Sequence, residues 1–299
     1  MNCIVCNGDQ GKIFDATETM FGLGGKFHYW ECRGCGMLTL MDPPADMAPY
    51  YPSDYYSFND PIPQGFATRL LDYLRVKNIP VLSYIARTFR PFWNLGCLAP
   101  LRSRDNILDV GAGQGRDVFR LRQIGFAAMG VDPFLAADIH DNGSLRVKKA
   151  ALGEIHGKFA VILLSHSLEH IPDQHGMMEE VRKHLEPGGR AIIRVPLAQD
   201  DWREKRSDWR ELDAPRHLYL HTPNSFAHIG SPTRNAARAY PIRLSEPKAE
   251  PQGDSRTRLV YFRGGLGNIG LGDGVFAITP PLGRTKNARY TARTSRKGS

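Results

Sequence analysis

The segment LDVGAGQGRD, from Leu108 to Asp117, constrains the fold of this chain more than any other segment. It begins in a short apolar run, continues through alternate glycines and leads into RDVFRLRQI, whose spacing predicts a helix closed by Gly125. A strand, a glycine loop and a helix in this order are typical of nucleotide-binding sheets, because glycine lets the backbone approach a ligand closely. We therefore expect a ligand site where this first strand ends.

The alternation of strands and helices continues beyond that loop. Apolar runs predict further strands at AAMGV, LRVKKA, FAVILLS and RAIIRV, and the segment QHGMMEEVRKHL predicts a helix before the last of them. Such alternation favours an α/β fold with a parallel sheet covered on both faces. Ligands of such sheets bind at the carboxyl ends of the strands, near the point where the strand order reverses.

The residues around the glycine loop discriminate between three cofactors. A triphosphate loop needs Lys followed by Ser or Thr, but Arg116 and Asp117 stand there, and Arg116 also replaces the third glycine of a dinucleotide fingerprint. Asp132 follows Gly111 by 21 residues and is placed to accept hydrogen bonds from two ribose hydroxyls. A ligand with a ribose, a carboxylate and an ammonium but no phosphate fits, which indicates S-adenosylmethionine. Its expected contacts are Asp109, Gly111, Gly113, Gly115 and Asp132.

Two identical cysteine pairs near the amino terminus predict a metal site. The pairs CIVC and CRGC are separated by 25 residues, and paired CxxC motifs in a reducing compartment are typical of tetrahedral zinc. Four thiolates leave no open coordination position, so we expect the zinc to be structural. Ordinary buried cysteines would not explain the paired spacing, whereas the unpaired Cys97 is expected to pack in the core. The expected ligands are Cys3, Cys6, Cys32 and Cys35.

Composition and charge limit the classes of function. The chain has 299 residues, 41% hydrophobic and 23% charged, with no uncharged apolar run of about 18 residues and no secretory signal pattern at its start, so we expect a cytoplasmic protein without a transmembrane segment. The net charge of +8 is concentrated in residues 230–299, which hold 13 Lys and Arg against 4 Asp and Glu, while the rest holds 26 against 27. Nucleic acid is therefore disfavoured as the substrate.

Four motifs in order resemble the class I S-adenosylmethionine-dependent methyltransferases: LDVGAGQG, GVDP, SHSLEHIPD and LEPGGRAIIRVP. The double CxxC and the run YYPSDYYSF look like a bacterial subgroup that joins a zinc ribbon to this domain and is associated with sugar or cell-surface polysaccharide modification. The resemblance implies a Rossmann-like methyltransferase sheet and a small-molecule acceptor, such as a sugar or nucleotide sugar. It also implies that Asp109 and the glycines hold the methionine portion, that Asp132 holds the ribose, and that Ser165 and His166 line the cleft.

Histidines are the candidates for proton transfer. An oxygen acceptor must lose its proton during methyl transfer, and imidazole has a pKa suited to taking it. His166 comes directly after the fourth strand, His170 lies nearby, and His217 belongs to WRELDAPRHLYLHT, which resembles the segment that returns over the acceptor cleft. By that resemblance Trp209 and Arg216 would also contact a hydroxylated substrate. His175 and His221 are further candidates, and an alternative role for Glu169 and His170 is to cap the next loop.

We divide the chain into four parts: a zinc ribbon at 1–45, an aromatic and helical linker at 46–100, an S-adenosylmethionine-binding domain at 101–229, and a basic tail at 230–299. In the linker, FATRLLDYLRVKN predicts a helix that serves as a lid, as a membrane-surface helix or, as we expect, in packing. The tail lacks apolar periodicity, which predicts an irregular, disordered or frame-shifted segment in which LVYFRGG and GVFAITPP could form a substitute hairpin.

The doubtful tail leaves two alternatives to an active methyltransferase. One is an inactive or truncated cofactor-binding protein, because a methyltransferase sheet normally ends in a helix and two edge strands. The other is a zinc-ribbon interaction module with a nucleic-acid-binding tail, since the positive charge lies there. The methyl acceptor and the oligomeric state do not follow from these residues.

Overall fold

The computed structural model describes residues 1–51, 64–77, 101–198, 200–226 and 228–229, together with strands at 258–263 and 273–279. Tyr55, Tyr56 and Cys97 lie outside the described residues. So does most of the tail, and its expected disorder or altered reading frame stays a prediction.

The described residues form twelve strands and five α-helices. The strands are β1 (Gly11–Thr17), β2 (Lys26–Cys32), β3 (Leu38–Leu40), β4 (Asn106–Val110), β5 (Ala127–Val131), β6 (Ile139–Asp141), β7 (Ser144–Lys148), β8 (Phe159–Ser165), β9 (Leu185–Pro196), β10 (Tyr219–Leu220), β11 (Arg258–Arg263) and β12 (Asp273–Thr279). The helices are α1 (Phe66–Lys77), α2 (Arg116–Gln123), α3 (Gln174–His184), α4 (Asp200–Lys205) and α5 (Pro223–Phe226).

Within the described residues, the central sheet has the order β11-β12-β9-β8-β4-β5-β7-β6. The five strands from β9 to β7 are parallel, and the remaining three pair antiparallel. The predicted parallel α/β sheet is therefore confirmed. The chain runs outward from β4 to β5 and then returns to β8 on its other side, so the strand order reverses at β4, where such sheets form a ligand crevice.

Strand β8 shows why the sheet is covered on both faces. Val161 and Leu163 are buried in one apolar cluster, and the alternating Ile162 and Leu164 are buried in the other. Successive side chains of a strand point to opposite faces, so an unbroken apolar run requires cover on both sides. This burial fixes the register of β8 and hence the position of the residues that follow it.

Two strand-like runs of the tail occupy the sheet edge. Strands β11 and β12 pair antiparallel with each other, and β12 pairs antiparallel with β9, where Phe276 lies opposite Ile193. They are the substitute hairpin that the sequence suggested for LVYFRGG and GVFAITPP. The edge of β9 is thereby covered in this structure.

The N-terminal ribbon (residues 1–45) shares its sheet with a distant segment. Strands β1, β2 and β3 form an antiparallel sheet whose fourth strand is β10, paired with β3. Tyr29 of β2 is fully buried in a cluster with Trp202 and Trp209, which come after β9 in the chain. The ribbon therefore packs against what we call the return segment (residues 206–222).

The packing expected of α1 is wrong for part of its apolar stripe. Phe66 and Leu70 are 74% and 46% exposed, whereas Asp72 and Val76 are buried. Asp72 accepts a hydrogen bond from Arg120 of α2 at 2.6 Å, so an ion pair at this contact joins the two helices. No helix in the described part of the chain has the length and apolar character needed to cross a membrane.

A buried arginine connects the ribbon to the return segment. Arg216 donates to Glu18, at 3.1 Å, and to Asp213, at 2.5 Å, and its side chain and that of Glu18 are inaccessible to solvent. Glu18 also accepts the backbone N–H groups of Phe21 and Leu23, both at 2.8 Å. Burial alone would raise the pKa of Glu18, but these N–H donors and the guanidinium hold the pKa below its usual value.

Replacing Glu18 by Ala should lower the free energy of unfolding by about 3 kcal/mol, since it removes one partner of a buried charge. Urea denaturation at pH 7 measures this loss. The matched control is Glu179→Ala on α3, where an exposed pair with Arg182 is removed at a cost within about 0.5 kcal/mol. Because the pKa of Glu18 is lower in the folded state than in the unfolded state, its contribution to stability is fully present above the unfolded-state pKa. This contribution disappears as the pH falls through the folded-state pKa. Equal losses in the two variants would contradict the assignment.

Candidate functional site

The glycine loop (residues 111–115) follows β4 at the point where the strand order reverses. Gly111, Gly113 and Gly115 have positive φ angles of 73°, 51° and 73°, a region that L side chains rarely adopt. A Cβ atom on Gly111 would lie 2.6 Å from Cβ of Ser167, and one on Gly115 would lie 2.5 Å from Val147 Cγ2. Both conformation and space therefore require glycine, and the loop packs directly against the residues after β8.

Asp132 lies beside this loop at the end of β5. Its Oδ2 accepts the N–H of Gly113 and its Oδ1 accepts the N–H of Phe134, both at 2.9 Å. An ionised carboxylate has about four lone-pair sites, so two acceptor sites remain for a ligand. The two backbone donors hold the carboxylate in one orientation.

Acidic side chains are concentrated at this end of the sheet. Burial raises the pKa of Asp109 well above its usual value, and the charges of Asp117 and Asp132 raise it further. Burial also raises the pKa of Asp117 to about 7, against the lowering effect of Arg120 and other cations. Burial therefore favours the protonated carboxyl of Asp109, and a positive charge placed beside it would favour the ionised form.

The loop after β8 brings further predicted residues to the same place. Ser165 ends β8 and pairs with Arg194 of β9, and the His166 N–H donates to the carbonyl oxygen of Arg194 at 2.8 Å. His166 has a φ of 53°, and its Nδ1 lies 3.4 Å from Oε1 of Glu169. Since β8 is parallel to β4 and adjacent to it, Ser165 and His166 lie, like the glycine loop, at the carboxyl ends of the strands.

Glu169, His170 and His217, which we call the histidine cluster, bring one carboxylate oxygen and one nitrogen from each ring within 4.8 Å of one another. Nδ1 of His170 lies 2.8 Å from the carbonyl oxygen of Arg216, and Nδ1 of His217 lies 2.8 Å from that of Glu211. A carbonyl oxygen only accepts, so Nδ1 carries the proton in both neutral rings and Nε2 keeps its lone pair.

The charge states in the cluster follow from burial and from the neighbouring rings. Burial opposes ionisation of Glu169, but His166 and the charges of the other two histidines lower its pKa to about 2. Burial lowers the pKa of His170, and the charge of His217 lowers it further. At neutral pH the cluster therefore combines the ionised carboxylate of Glu169 with a neutral His170 ring.

The remaining candidates lie elsewhere. Trp209 and Arg216 are 2% and 1% exposed, and Arg216 is held by Glu18 and Asp213, so the expectation that they contact substrate is wrong in this structure. The His175 ring donates to the carbonyl oxygen of Ile4, and the buried His221 ring is bonded to Ser225 and Gln174. These two histidines are structural.

The sequence did not reveal that the Glu169 side chain lies among histidines. Its pattern suggested Glu169 as a loop cap, but no hydrogen bond to either carboxylate oxygen is found among the described residues, and the side chain faces histidines instead. The pattern SHSLEH was the available signal, because it places an acid one residue before one histidine and three after another. The third member, His217, lies 48 positions beyond Glu169, so its proximity could not be inferred from spacing.

The four N-terminal cysteines converge as expected. Cys3 Sγ lies 3.5 Å from Cys35 Sγ, and Cys6 Sγ lies 3.5 Å from Cys32 Sγ, too far for disulfides of about 2.05 Å. The edge of a tetrahedron with metal–sulfur bonds of about 2.3 Å is about 3.8 Å. The Gly8 N–H also donates to Cys6 Sγ at 3.4 Å, as expected for a thiolate ligand. The donor set therefore fits a tetrahedral metal ion.

The fold and this site define a Rossmann-like α/β protein with a cofactor crevice at its strand-order reversal. Residues 83–231 match the family model described as methyltransferase domain. No curated protein matches the chain at a significant level.

Solved structures also match the chain. They include the CcbJ methyltransferase from Streptomyces caelestis, with 20% identity over 34% of this chain and 47% of that one and a TM-score of 0.29. The 1,6-didemethyltoxoflavin-N1-methyltransferase from Burkholderia thailandensis matches with 14% identity over 89% and 99% and a TM-score of 0.44. Magnesium protoporphyrin IX methyltransferase from Synechocystis PCC 6803 matches with 11% identity over 75% and 91% and a TM-score of 0.40. The chain spans about half the length of the first solved structures it matches.

Asp117→Asn should stabilise the protein in a pH-dependent way. The folded-state pKa of about 7 lies above the usual value of 3.8, so the unfolded chain loses this proton first, and stability falls as the pH rises from about 4 to about 7. The variant lacks this loss. Its free energy of unfolding should exceed that of the native chain by about 2 to 4 kcal/mol at pH 8 and by much less at pH 4.5. Urea denaturation at both pH values measures it, and equal differences would refute the assignment.

Proposed function

We propose that this protein is an S-adenosylmethionine-dependent methyltransferase that acts on a hydroxylated small molecule. The observation that carries the proposal is the acid-rich crevice at the strand-order reversal, where left-handed glycines meet Asp132 and no phosphate-binding lysine is present in the loop. Such a crevice suits a ribose and a positive charge rather than a polyphosphate. The family match of residues 83–231 supports the same chemistry.

Different residues of the crevice would bind different parts of the cofactor. Asp132 would accept hydrogen bonds from the ribose hydroxyls, and the glycine loop would let the methionine portion approach the backbone. Asp109 lies in the buried acidic group and would favour the ammonium and sulfonium charges. Ser165, at the end of β8, would line the same cleft. When bound, S-adenosylmethionine supplies an electrophilic methyl group on sulfur.

His166 is our candidate for removing the acceptor proton. It follows β8 directly, its side chain is 30% exposed, and its Nδ1 lies near the buried carboxylate of Glu169. A carboxylate beside an imidazole orients the ring and stabilises the imidazolium that proton transfer creates. Glu169 would thus be a positioning residue for His166, and His170 and His217, the other two candidates for proton transfer, would line the acceptor side of the cleft.

The ribbon would hold a structural zinc ion through Cys3, Cys6, Cys32 and Cys35. Its contribution to the site is mechanical: Tyr29 of the ribbon donates its hydroxyl to the carbonyl oxygen of His217 at 2.7 Å. The reducing cytoplasm, where thiolates remain available to metal, is the compartment that fits this ligand set.

The acceptor we favour is a sugar, a nucleotide sugar or another cell-surface glycan precursor. The resemblance of the chain to the zinc-ribbon subgroup supports this class. The polar groups near the histidine cluster also suit a hydroxylated ligand, since the Tyr51 hydroxyl lies 3.4 Å from Nδ1 of His170.

Calorimetry with S-adenosylmethionine and the full chain tests the cofactor. Asp132→Ala should weaken binding about 10- to 100-fold, because a charged acceptor of ribose hydroxyls is lost. The control is Asp138→Ala in the same loop, whose exposed carboxylate accepts the backbone N–H of Lys149 and should leave affinity unchanged. Absence of binding to the native chain, or equal affinity in Asp132→Ala, would reject the proposal.

The ribbon site is tested by metal analysis. Replacing Cys35 by Ser should release the zinc of the ribbon and lower the thermal midpoint, since the cysteine loops pack against the rest of the chain. Cobalt substitution of the native ribbon should give the intense near-ultraviolet absorption of thiolate ligation, and Cys35→Ser should abolish it. Native protein without this absorption would contradict the four-thiolate site.

A further inference from the structure

We infer that the histidine cluster (Glu169, His170 and His217) is a second metal site, which binds a divalent transition-metal ion through two imidazole nitrogens and one carboxylate. The inference concerns metal binding itself and stands apart from the identity of the cofactor in the glycine-loop crevice. It rests on three features of the cluster: convergence of ligand atoms, an excess of acceptor atoms, and prior orientation of both rings.

Convergence is the first feature. One potential ligand atom from each of the three side chains lies within 4.8 Å of the others. Around an ion with bonds of about 2.1 Å, tetrahedral ligand atoms lie about 3.4 Å apart. The separations in the cluster exceed this value by at most about 1.4 Å.

The second feature is an excess of acceptors. Glu169 is completely buried, and within the described residues neither of its oxygens has a hydrogen-bond partner. Both histidines use Nδ1–H on a backbone carbonyl, so in the neutral form of each ring the lone pair is on Nε2. Asp213, whose Oδ2 also accepts a hydrogen bond from Nε of Arg216 at 3.0 Å, has this oxygen at 3.8 Å from Nε2 of His217. The nearest donor to the buried Glu169 carboxylate is Nδ1 of His166, at 3.4 Å, and a cation beside this carboxylate would stabilise its charge further.

The third feature is the support behind the ligands. Metal-binding histidines commonly donate their other ring N–H to a backbone carbonyl, which fixes the tautomer and the ring plane. His170 and His217 both do so, and the backbone around them is also held: the Leu218 N–H donates to the carbonyl oxygen of Glu169 at 3.0 Å. By contrast, both ring nitrogens of His184 lie near backbone carbonyl oxygens, so neither nitrogen is directed toward another ligand atom.

The ligand set indicates the class of ion. Two imidazoles and one carboxylate suit Zn²⁺, Fe²⁺ or a similar transition metal, whereas Mg²⁺ and Ca²⁺ prefer oxygen ligands. Three protein ligands also leave coordination positions open, unlike the four thiolates of the ribbon. An ion held here can therefore bind water or a ligand oxygen in addition to the protein.

Metal counting on the full chain tests the site. The native protein, equilibrated with Zn²⁺ and freed of excess metal, should hold two ions per chain. Glu169→Gln and His217→Gln should each hold one, retained by the ribbon. Cys35→Ser should lose the ribbon ion and keep the second. His184→Gln is the matched control, a buried histidine outside both sites, and should hold two.

Cobalt spectroscopy provides a readout that does not depend on the folding of a variant. With the ribbon filled by zinc, Co²⁺ added to the native chain should give weak visible bands without thiolate absorption. One ion per native chain, or two ions in both Glu169→Gln and His217→Gln, would overturn the inference. Because S-adenosylmethionine binding is measured separately, failure of the metal site is distinguishable from failure of the proposed function.

Discussion

The buried guanidinium of Arg216 is the interaction on which the arrangement of the site depends. It joins Glu18, which follows the first ribbon strand, to Asp213 of the return segment, and it also donates to the carbonyl oxygen of Tyr50 at 3.2 Å. The carbonyl oxygen of Arg216 in turn accepts from the ring of His170. One residue therefore fixes the ribbon, the return segment and a histidine of the cluster relative to one another. A charge buried so completely requires all its partners.

The parallel sheet supplies the second constraint. Strands β4, β5 and β8 are parallel, and their carboxyl ends lie on the same side of the molecule. The glycine loop, Asp132 and Ser165 therefore meet there although they are far apart in sequence. Contact between Gly111 and Ser167 then links the cofactor crevice to the loop that carries Glu169 and His170. The two sites are neighbours because a single short loop borders both.

Local patterns were sufficient for the sheet and for the crevice. Apolar runs predicted β4, β5, β7, β8 and the end of β9. Thr222 caps α5, with its Oγ1 accepting the N–H of Ser225 at 3.0 Å. The hairpin of β6 and β7 was missed, although Asn142 and Gly143 between these strands have the positive φ angles of a tight turn. Spacing could not place Trp209 and Arg216 in the core, because their partners are ribbon residues nearly 200 positions away. The proximity of His217 to Glu169 and His170 could not be inferred from spacing either, because 48 positions separate His217 from Glu169.

The contacts of the cysteine loops argue that the ribbon is part of the catalytic fold rather than an appended module. The carbonyl oxygen of Cys35 accepts the hydroxyl of Thr222 at 2.6 Å, at the start of α5, and that of Ile4 accepts the ring of His175 at 2.7 Å, in the first turn of α3. Both carbonyls belong to the turns that a metal ion would hold. Loss of the ion would free these turns, and with them the supports of α3 and of the return segment that carries His217. A structural metal far from the reacting atoms can in this way determine whether the site forms.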